Sequence, residues 1–77
     1  MPMTNFLLAL GKRIKQVRKH RKLTQAALSE KVDCDIRTIQ RIEAGEESIS
    51  LALLGKIIVA LAIKSDNLLL VAESEIQ

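Results

Sequence analysis

Apolar residues recur every three or four positions along much of the chain, which is the spacing of one face of an α-helix. The first such segment covers residues 5–21 and places four residues on one stripe: Leu7, Leu10, Ile14 and Val17. A second segment follows Thr24, a residue type that favours the N-cap of a helix, and runs to Val32. Its inward positions are Ala27, Leu28 and Val32. The pattern therefore predicts two amphipathic helices in the first half of the chain.

Three more segments follow a short connection at Asp33 and Cys34. Asp35 is placed to cap a third helix with Ile39 and Ile42 inward, and Gly45 can end it in the left-handed conformation. Ser50 is placed to cap a fourth helix, whose predicted inward residues are Leu51, Leu54, Ile57, Ile58 and Leu61. A last segment begins at Ser65 or Asp66 and includes Leu68, Leu69 and Val71. Its periodicity is poor, so helix and strand both stay open there.

The composition favours a single all-α domain covering residues 1–77. Three glycines and one proline supply too few turn residues for an all-β fold, and the single aromatic residue, Phe6, requires an aliphatic core. We therefore expect a compact five-helix domain. No apolar run approaches the roughly 20 residues of a membrane span, and the first ten residues lack the features of a signal peptide. The expected location is the cytoplasm, without membrane association.

The residues needed for catalysis or metal binding are sparse. The single cysteine, Cys34, has no second cysteine with which to form an internal disulfide. Cys34 and the single histidine, His20, are too few to form a metal site of the usual soft ligands. The chain has no nucleophile–base pair, no paired-carboxylate signature and no phosphate-binding glycine loop. We therefore expect no enzyme activity, no metal and no cofactor.

Positive charge is concentrated in the first half of the chain. Residues 1–42 carry ten Lys or Arg against three acids, a net +7, whereas residues 43–77 carry two against six, a net −4. Seven of the ten basic residues lie between Lys12 and Lys22. A basic face of this kind suits a polyanion such as nucleic acid, although a solvated helix face has the same composition.

The centre of the chain, residues 24–44, has the spacing of two short helices that cross at a steep angle. Such a crossing needs apolar residues at particular positions, and five fit: Leu28, Val32, Cys34, Ile39 and Ile42. Ser29 is small where the two helices approach closely, and Asp33 stands at the turn position that requires positive φ. A helix held in this way projects its outer face into a major groove of DNA.

The segment LTQAALSEKVDCDIRTIQRIEAG, residues 23–45, resembles the helix-turn-helix of the phage Cro and repressor (XRE-type) regulators. The resemblance extends from about Leu10 to Leu69, and ISLALLGKIIVALAI is similar to the fourth helix of that family. The short length and the ISL segment are also similar to the controller proteins of restriction–modification systems. The resemblance implies a lambda-repressor-like fold that binds double-stranded DNA, with residues 36–43 as the recognition helix.

The resemblance also implies a role for individual side chains. Gln25, at the start of the second helix, would reach a phosphate and brace the recognition helix, and Thr38 would contact the DNA backbone. The outward positions of the recognition helix would be Ile36, Arg37, Gln40 and Arg41. These residue types can read bases: Arg binds guanine, Gln binds adenine and Ile contacts a thymine methyl. For Ile36, burial against the first helix is an equal alternative.

A further pair implied by the resemblance is Arg18 with Glu43, which would form a structural ion pair between the first helix and the end of the recognition helix. The sequence also departs from the family pattern. Acids stand at four positions around the expected DNA face, namely Asp33, Asp35, Glu46 and Glu47, and Lys22 stands where glycine often ends the first helix. Each acid there makes the approach of a phosphate less favourable.

These observations favour a dimeric transcription regulator that binds a pseudo-palindromic operator as a homodimer. Three consecutive leucines, Leu68, Leu69 and Leu70, are candidates for the dimer surface because they span too wide an arc for one small core. The alternative is that they close the core of the monomer. A second hypothesis is an antitoxin-like or other protein-interaction module that keeps the fold, binds DNA weakly and has a protein partner.

Overall fold

The computed structural model describes residues 2–62, with side chains from residue 5 onward. Four α-helices make up this part of the chain: α1 (Pro2–His20), α2 (Gln25–Lys31), α3 (Ile36–Glu43) and α4 (Leu51–Leu61). The prediction of an all-α fold is confirmed. Four helices, rather than five, occur in the described range, and the fifth predicted segment lies outside it. Helix α1 also begins three residues earlier than predicted.

The N-terminal ends of α2, α3 and α4 are capped by the three residues predicted for that role. The Thr24 hydroxyl accepts a hydrogen bond from the Ala27 amide at 3.0 Å. The Asp35 carboxylate accepts one from the Arg37 amide at 2.8 Å, and the Ser50 hydroxyl accepts one from the Leu53 amide at 3.1 Å. Each cap satisfies an amide that the helix itself leaves without a partner, so local sequence defines where these helices begin.

The C-terminal ends of α1, α2 and α3 share one hydrogen-bond pattern, the Schellman motif. A residue with positive φ follows each helix: Lys22 (59°), Asp33 (54°) and Gly45 (73°). The next amide then donates to the carbonyl oxygen five positions earlier, and the three bonds are Leu23 to Arg18 (3.1 Å), Cys34 to Ser29 (3.0 Å) and Glu46 to Arg41 (2.9 Å). Glycine adopts this conformation without strain, but only the end of α3 has a glycine at this position.

The core is aliphatic, as the composition requires. Its buried apolar residues are Ala9, Leu10, Ile14, Leu28, Val32, Ile39, Ile42, Ile57 and Leu61. The prediction that Leu51 faces inward is wrong, because 85% of its surface is exposed. Leu51 is the first residue of α4, and at about 100° per residue it lies well around the helix from the line through Ile57 and Leu61. That line faces the core, so Leu51 is left outside.

Helix α1 and the end of α3 approach each other closely at two glycines. A Cβ atom added to Gly11 would collide with the carbonyl oxygen of Ile42 and would lie 3.0 Å from that of Glu43. At Gly45 an added Cβ would lie 2.6 Å from a methyl carbon of Leu8. Backbone therefore packs on backbone where α1 supports α3, which sets the position of α3 relative to the rest of the domain.

Candidate nucleic-acid interface

Helix α3 has two sharply different faces. Ile39 and Ile42 are buried in the core, whereas Arg37, Gln40 and Arg41 are exposed and Thr38 is partly exposed. Ile36 is 37% exposed, so it borders the outer face and is not enclosed by the core. Because positions four apart lie on the same side of a helix, residues 36, 37, 40 and 41 form one continuous outer row. The structure thus brings together the four side chains expected to read bases.

Arg18 of α1 and Glu43 of α3 form a bidentate ion pair. The Arg18 Nε donates to Glu43 Oε2 at 2.6 Å, and Nη2 donates to Oε1 at 3.0 Å. Both side chains are buried, with 8% and 3% of their surfaces exposed. The remaining Nη1 donates to the carbonyl oxygen of Leu23 at 2.8 Å. The planar guanidinium thus holds the end of α3 and the α1–α2 connection at once, a geometry that lysine cannot reproduce.

Gln25, the first residue of α2, joins the same cluster. Its Nε2 donates to Glu43 Oε1 at 3.1 Å, so Glu43 accepts hydrogen bonds from α1 and from α2. The resemblance implies that Gln25 braces the recognition helix, and this contact to α3 is of that kind. The Gln25 side chain is partly buried. Arg18, Gln25 and Glu43 therefore link three helices through one carboxylate, and the buried charge of that carboxylate is compensated by several donors.

Gly11 is a positioning residue that the sequence reasoning missed. Gly11 lies in the interior of α1, where glycine costs roughly 1 kcal/mol relative to alanine. An isolated glycine within a helical pattern often marks a close backbone approach, and this signal was available in the sequence. The structure shows that the approach is to the last turn of α3.

Exposed charges of both signs occur on α1 and in the segments that precede and follow α3. Lys12, Lys15 and Lys19 are exposed along α1. Of the acids, Asp33, Asp35 and Glu46 are exposed and Glu47 is partly buried. The Asp35 carboxylate already accepts the Arg37 amide as the N-cap of α3, so it has a structural task. Asp33 and Glu46 have no such cap bond, and an exposed carboxylate opposes the approach of a polyanion.

Cys34 packs in the turn between α2 and α3. Its side chain is half-buried against the core. Burial raises the pKa of the Cys34 thiol, and the nearby carboxylates of Asp35 and Asp33 raise it further. Because the thiolate is the reactive form, this environment favours a packing role over nucleophilic chemistry.

Residues 2–62 contain no group of three or more His, Cys, Asp or Glu side chains arranged to hold a metal ion. None of the four helices in that range combines the length and the apolar character needed to cross a bilayer.

A family model described as helix-turn-helix matches residues 14–68, which is most of the chain and includes α2, α3 and the Arg18–Glu43 pair. The chain belongs to the XRE-type helix-turn-helix family. The resemblance to this family inferred from the sequence is confirmed, and with it the assignment as a DNA-binding transcription regulator. Members of the family are regulators rather than enzymes, in agreement with the interpretation of the chain as a non-enzyme. No curated protein sequence matches the chain.

Solved structures of two regulators share the fold. Two crystal structures of the clp gene regulator ClgR from Corynebacterium glutamicum each have a TM-score of 0.87 and 22% identity. The alignments cover 92% and 94% of this chain, and 76% and 92% of the respective ClgR chains. The restriction-modification controller protein C.AhdI from Aeromonas hydrophila has a TM-score of 0.77 and 27% identity, and the alignment covers 80% of this chain and 94% of C.AhdI. At 22% identity the likeness to ClgR shows the fold alone.

Proposed function

We propose that this protein binds double-stranded DNA sequence-specifically as a homodimer and regulates transcription in the cytoplasm. In this proposal α3 (Ile36–Glu43) enters the major groove. The observation that carries the proposal is the exposed row of α3, which a buried ion pair and a backbone contact hold in place from behind. A rigidly mounted helix with base-reading side chains on its free face is the arrangement that direct readout requires.

Each side chain of the row has a chemically suitable target. Arg37 and Arg41 can donate two hydrogen bonds to guanine, Gln40 can pair with adenine, and Ile36 can contact a thymine methyl. In this proposal Thr38 and Gln25 donate to phosphates, which would set the register without reading sequence. The exposed lysines of α1 would add attraction that is independent of sequence.

We infer dimerisation from the small size of the surface that would contact bases, the outer row of α3. One short recognition helix contacts only a few base pairs, whereas a two-fold dimer spans two half-sites about 34 Å apart on a pseudo-palindromic operator. Leu68, Leu69 and Leu70 are the proposed interface residues, and all three lie outside the described residues. ClgR is named a gene regulator and C.AhdI a restriction-modification controller protein, and we extend gene regulation to this chain.

The experiment that tests the proposal is selection of binding sites from a pool of random duplexes, followed by a salt titration. We expect a pseudo-palindromic consensus, bound about 10³-fold or more tightly than a scrambled duplex. Affinity for both duplexes should fall linearly on a log–log plot against salt concentration, because phosphate contacts release counterions. Selection that yields no consensus, with equal binding to both duplexes, would contradict sequence-specific binding.

A second candidate function is an antitoxin-like or other protein-interaction module. The exposed acids Asp33 and Glu46 favour it, since both border the DNA-facing surface and repel phosphate. The same titration separates the two candidates. A protein-interaction module would dissociate from both duplexes at physiological salt and would show no sequence preference. Its protein partner would then be sought by co-purification.

A further inference from the structure

The outer side of α4 carries an open cleft. The cleft has a volume of about 480 Å³ and lies between the end of α2 and the second half of α4. Its lining consists of Lys31, Gly55, Lys56, Val59 and Ala60. Val59 is 80% exposed, and a Cβ added to Gly55 would meet no atom within 4 Å. Covering this apolar surface with another apolar segment would remove it from water and so stabilise the protein.

The charges at the cleft restrict what can cover it. Lys31 and Lys56 are exposed, and neither forms an ion pair with a carboxylate among residues 5–62. A segment that fits must therefore combine apolar side chains for Gly55 and Val59 with acidic side chains that reach the two lysines. Residues 68–75 of this chain, LLLVAESE, have this composition: five consecutive apolar residues, then Glu73 and Glu75.

The chain leaves α4 beside the cleft. Ala62 ends the helix with φ 54° and ψ 45°, a left-handed conformation that breaks the helical direction. The Arg21 guanidinium donates to the Ala62 carbonyl oxygen at 3.3 Å and so ties this exit to α1. Lys56 lies six residues, or about 9 Å of helix, before Ala62. The five residues 63–67 span up to about 17 Å when extended, so residue 68 can reach the cleft of its own chain.

We propose that residues 68–75 dock into this cleft of their own chain, with leucines against Gly55 and Val59 and with Glu73 and Glu75 facing Lys31 and Lys56. The short tether raises the local concentration of the segment at the cleft, which favours its own chain over a second copy. The inference is independent of DNA binding. It also agrees with a dimer surface at the leucine run, because neighbouring side chains point in different directions and one cleft cannot cover them all.

The test is disulfide crosslinking in the full-length chain with Cys34→Ser, so that introduced cysteines are the only thiols. Val59→Cys is combined in turn with Leu68→Cys, Leu69→Cys and Leu70→Cys. A disulfide requires Cα atoms within about 7 Å, so at least one combination should close within a single chain under mild oxidation. A control on another surface is Gln16→Cys on the exposed side of α1, combined with the same three tail cysteines. Because its tether is longer, the decisive comparison is the effect of charge reversal on the rate for the Val59 combinations.

The result that supports docking is a fast-migrating monomer on a non-reducing gel for a Val59 combination and not for the Gln16 control. Adding Lys31→Glu and Lys56→Glu should slow its formation by about threefold or more, and adding Glu73→Lys and Glu75→Lys to that variant should restore the rate. Three results overturn the proposal: no intrachain disulfide, equal crosslinking of the control, or disulfides only between two chains. Circular dichroism of each variant checks that the helices are retained.

Discussion

Gly11 of α1 packs directly against the carbonyl oxygen of Ile42 in α3, with no room for a side chain between them. Any larger residue at this position would push α3 away from its support. The relationship therefore links a glycine, which is unfavourable within a helix, to the placement of the surface proposed to meet DNA.

The first prediction is that Gly11→Ala destabilises the domain by about 1–3 kcal/mol, because overpacking against backbone outweighs the gain in helix propensity. The control is Gly55→Ala, also within a helix, where an added Cβ meets no atom of the described residues within 4 Å and which should raise stability by about 0.5–1 kcal/mol. Urea unfolding followed by circular dichroism measures both changes. A Gly11→Ala variant as stable as the wild type, or more stable, would show that α1 and α3 do not pack as described.

The second prediction concerns the pair Arg18 and Glu43. Either alanine variant strands a buried charge and should lower the free energy of unfolding by about 3–5 kcal/mol. The double variant should lose less than the sum of the two single variants, since neither charge is then left alone.

The control for this cycle is Lys15→Ala with Glu30→Ala, two exposed side chains that make no ion pair among the described residues. Their effects should be small and additive. Additive losses for Arg18 and Glu43 as well would contradict an energetic coupling between the two groups.

The third prediction separates base reading from charge. Arg37→Ala should weaken binding to the preferred duplex by about 1–3 kcal/mol and relax the sequence preference, since Arg37 lies on the outer row of α3. Lys15→Ala should weaken the preferred and scrambled duplexes alike and reduce the salt slope by about one phosphate contact. Lys12→Ala and Lys19→Ala should behave like Lys15→Ala. Fluorescence anisotropy at several salt concentrations measures each effect, and equal losses of Arg37→Ala on both duplexes would count against base reading.

The fourth prediction is that Lys22→Gly stabilises the domain. Lys22 has a φ of 59° at the end of α1, a conformation that costs an ordinary L-residue about 1–2 kcal/mol and glycine little. We expect a gain of roughly 1 kcal/mol, seen as a higher urea midpoint with an unchanged slope. Lys19→Gly, three residues earlier and within α1, is the control and should cost about 1 kcal/mol. A loss of stability in Lys22→Gly would mean that the lysine side chain contributes more than the strain costs.

The fifth prediction is a dimer at micromolar concentration that Leu69→Glu or Leu70→Glu weakens, because a carboxylate at an apolar interface must lose its hydration. Sedimentation equilibrium measures the dimer, and Gln16→Glu on the exposed side of α1 is the control. A wild-type chain that stays monomeric, or a dimer unchanged in both leucine variants, would exclude the leucine run as the interface.

Local sequence was sufficient wherever a feature depends on neighbours along the chain. Thr24, Asp35 and Ser50 were predicted as caps and are caps, because a side-chain oxygen needs only the amides two or three residues ahead. The outward row of α3 also follows from sequence, since Ile39 and Ile42 determine which side of a 3.6-residue helix is buried. Gly45 was expected to end α3, and its φ of 73° is the conformation that such an end requires.

Features that depend on how helices pack were decided only by the tertiary structure. Leu51 looked like a core residue by spacing but is exposed, because the packing of α4 selects the line through Ile57 and Leu61. The backbone contact at Gly11 and the bond from Gln25 to Glu43 join residues far apart in the chain, and periodicity carries no information on such distances. A hydrophobic pattern specifies which face of each helix is apolar, whereas the packing of the helices selects which of those apolar residues become core and which polar groups meet.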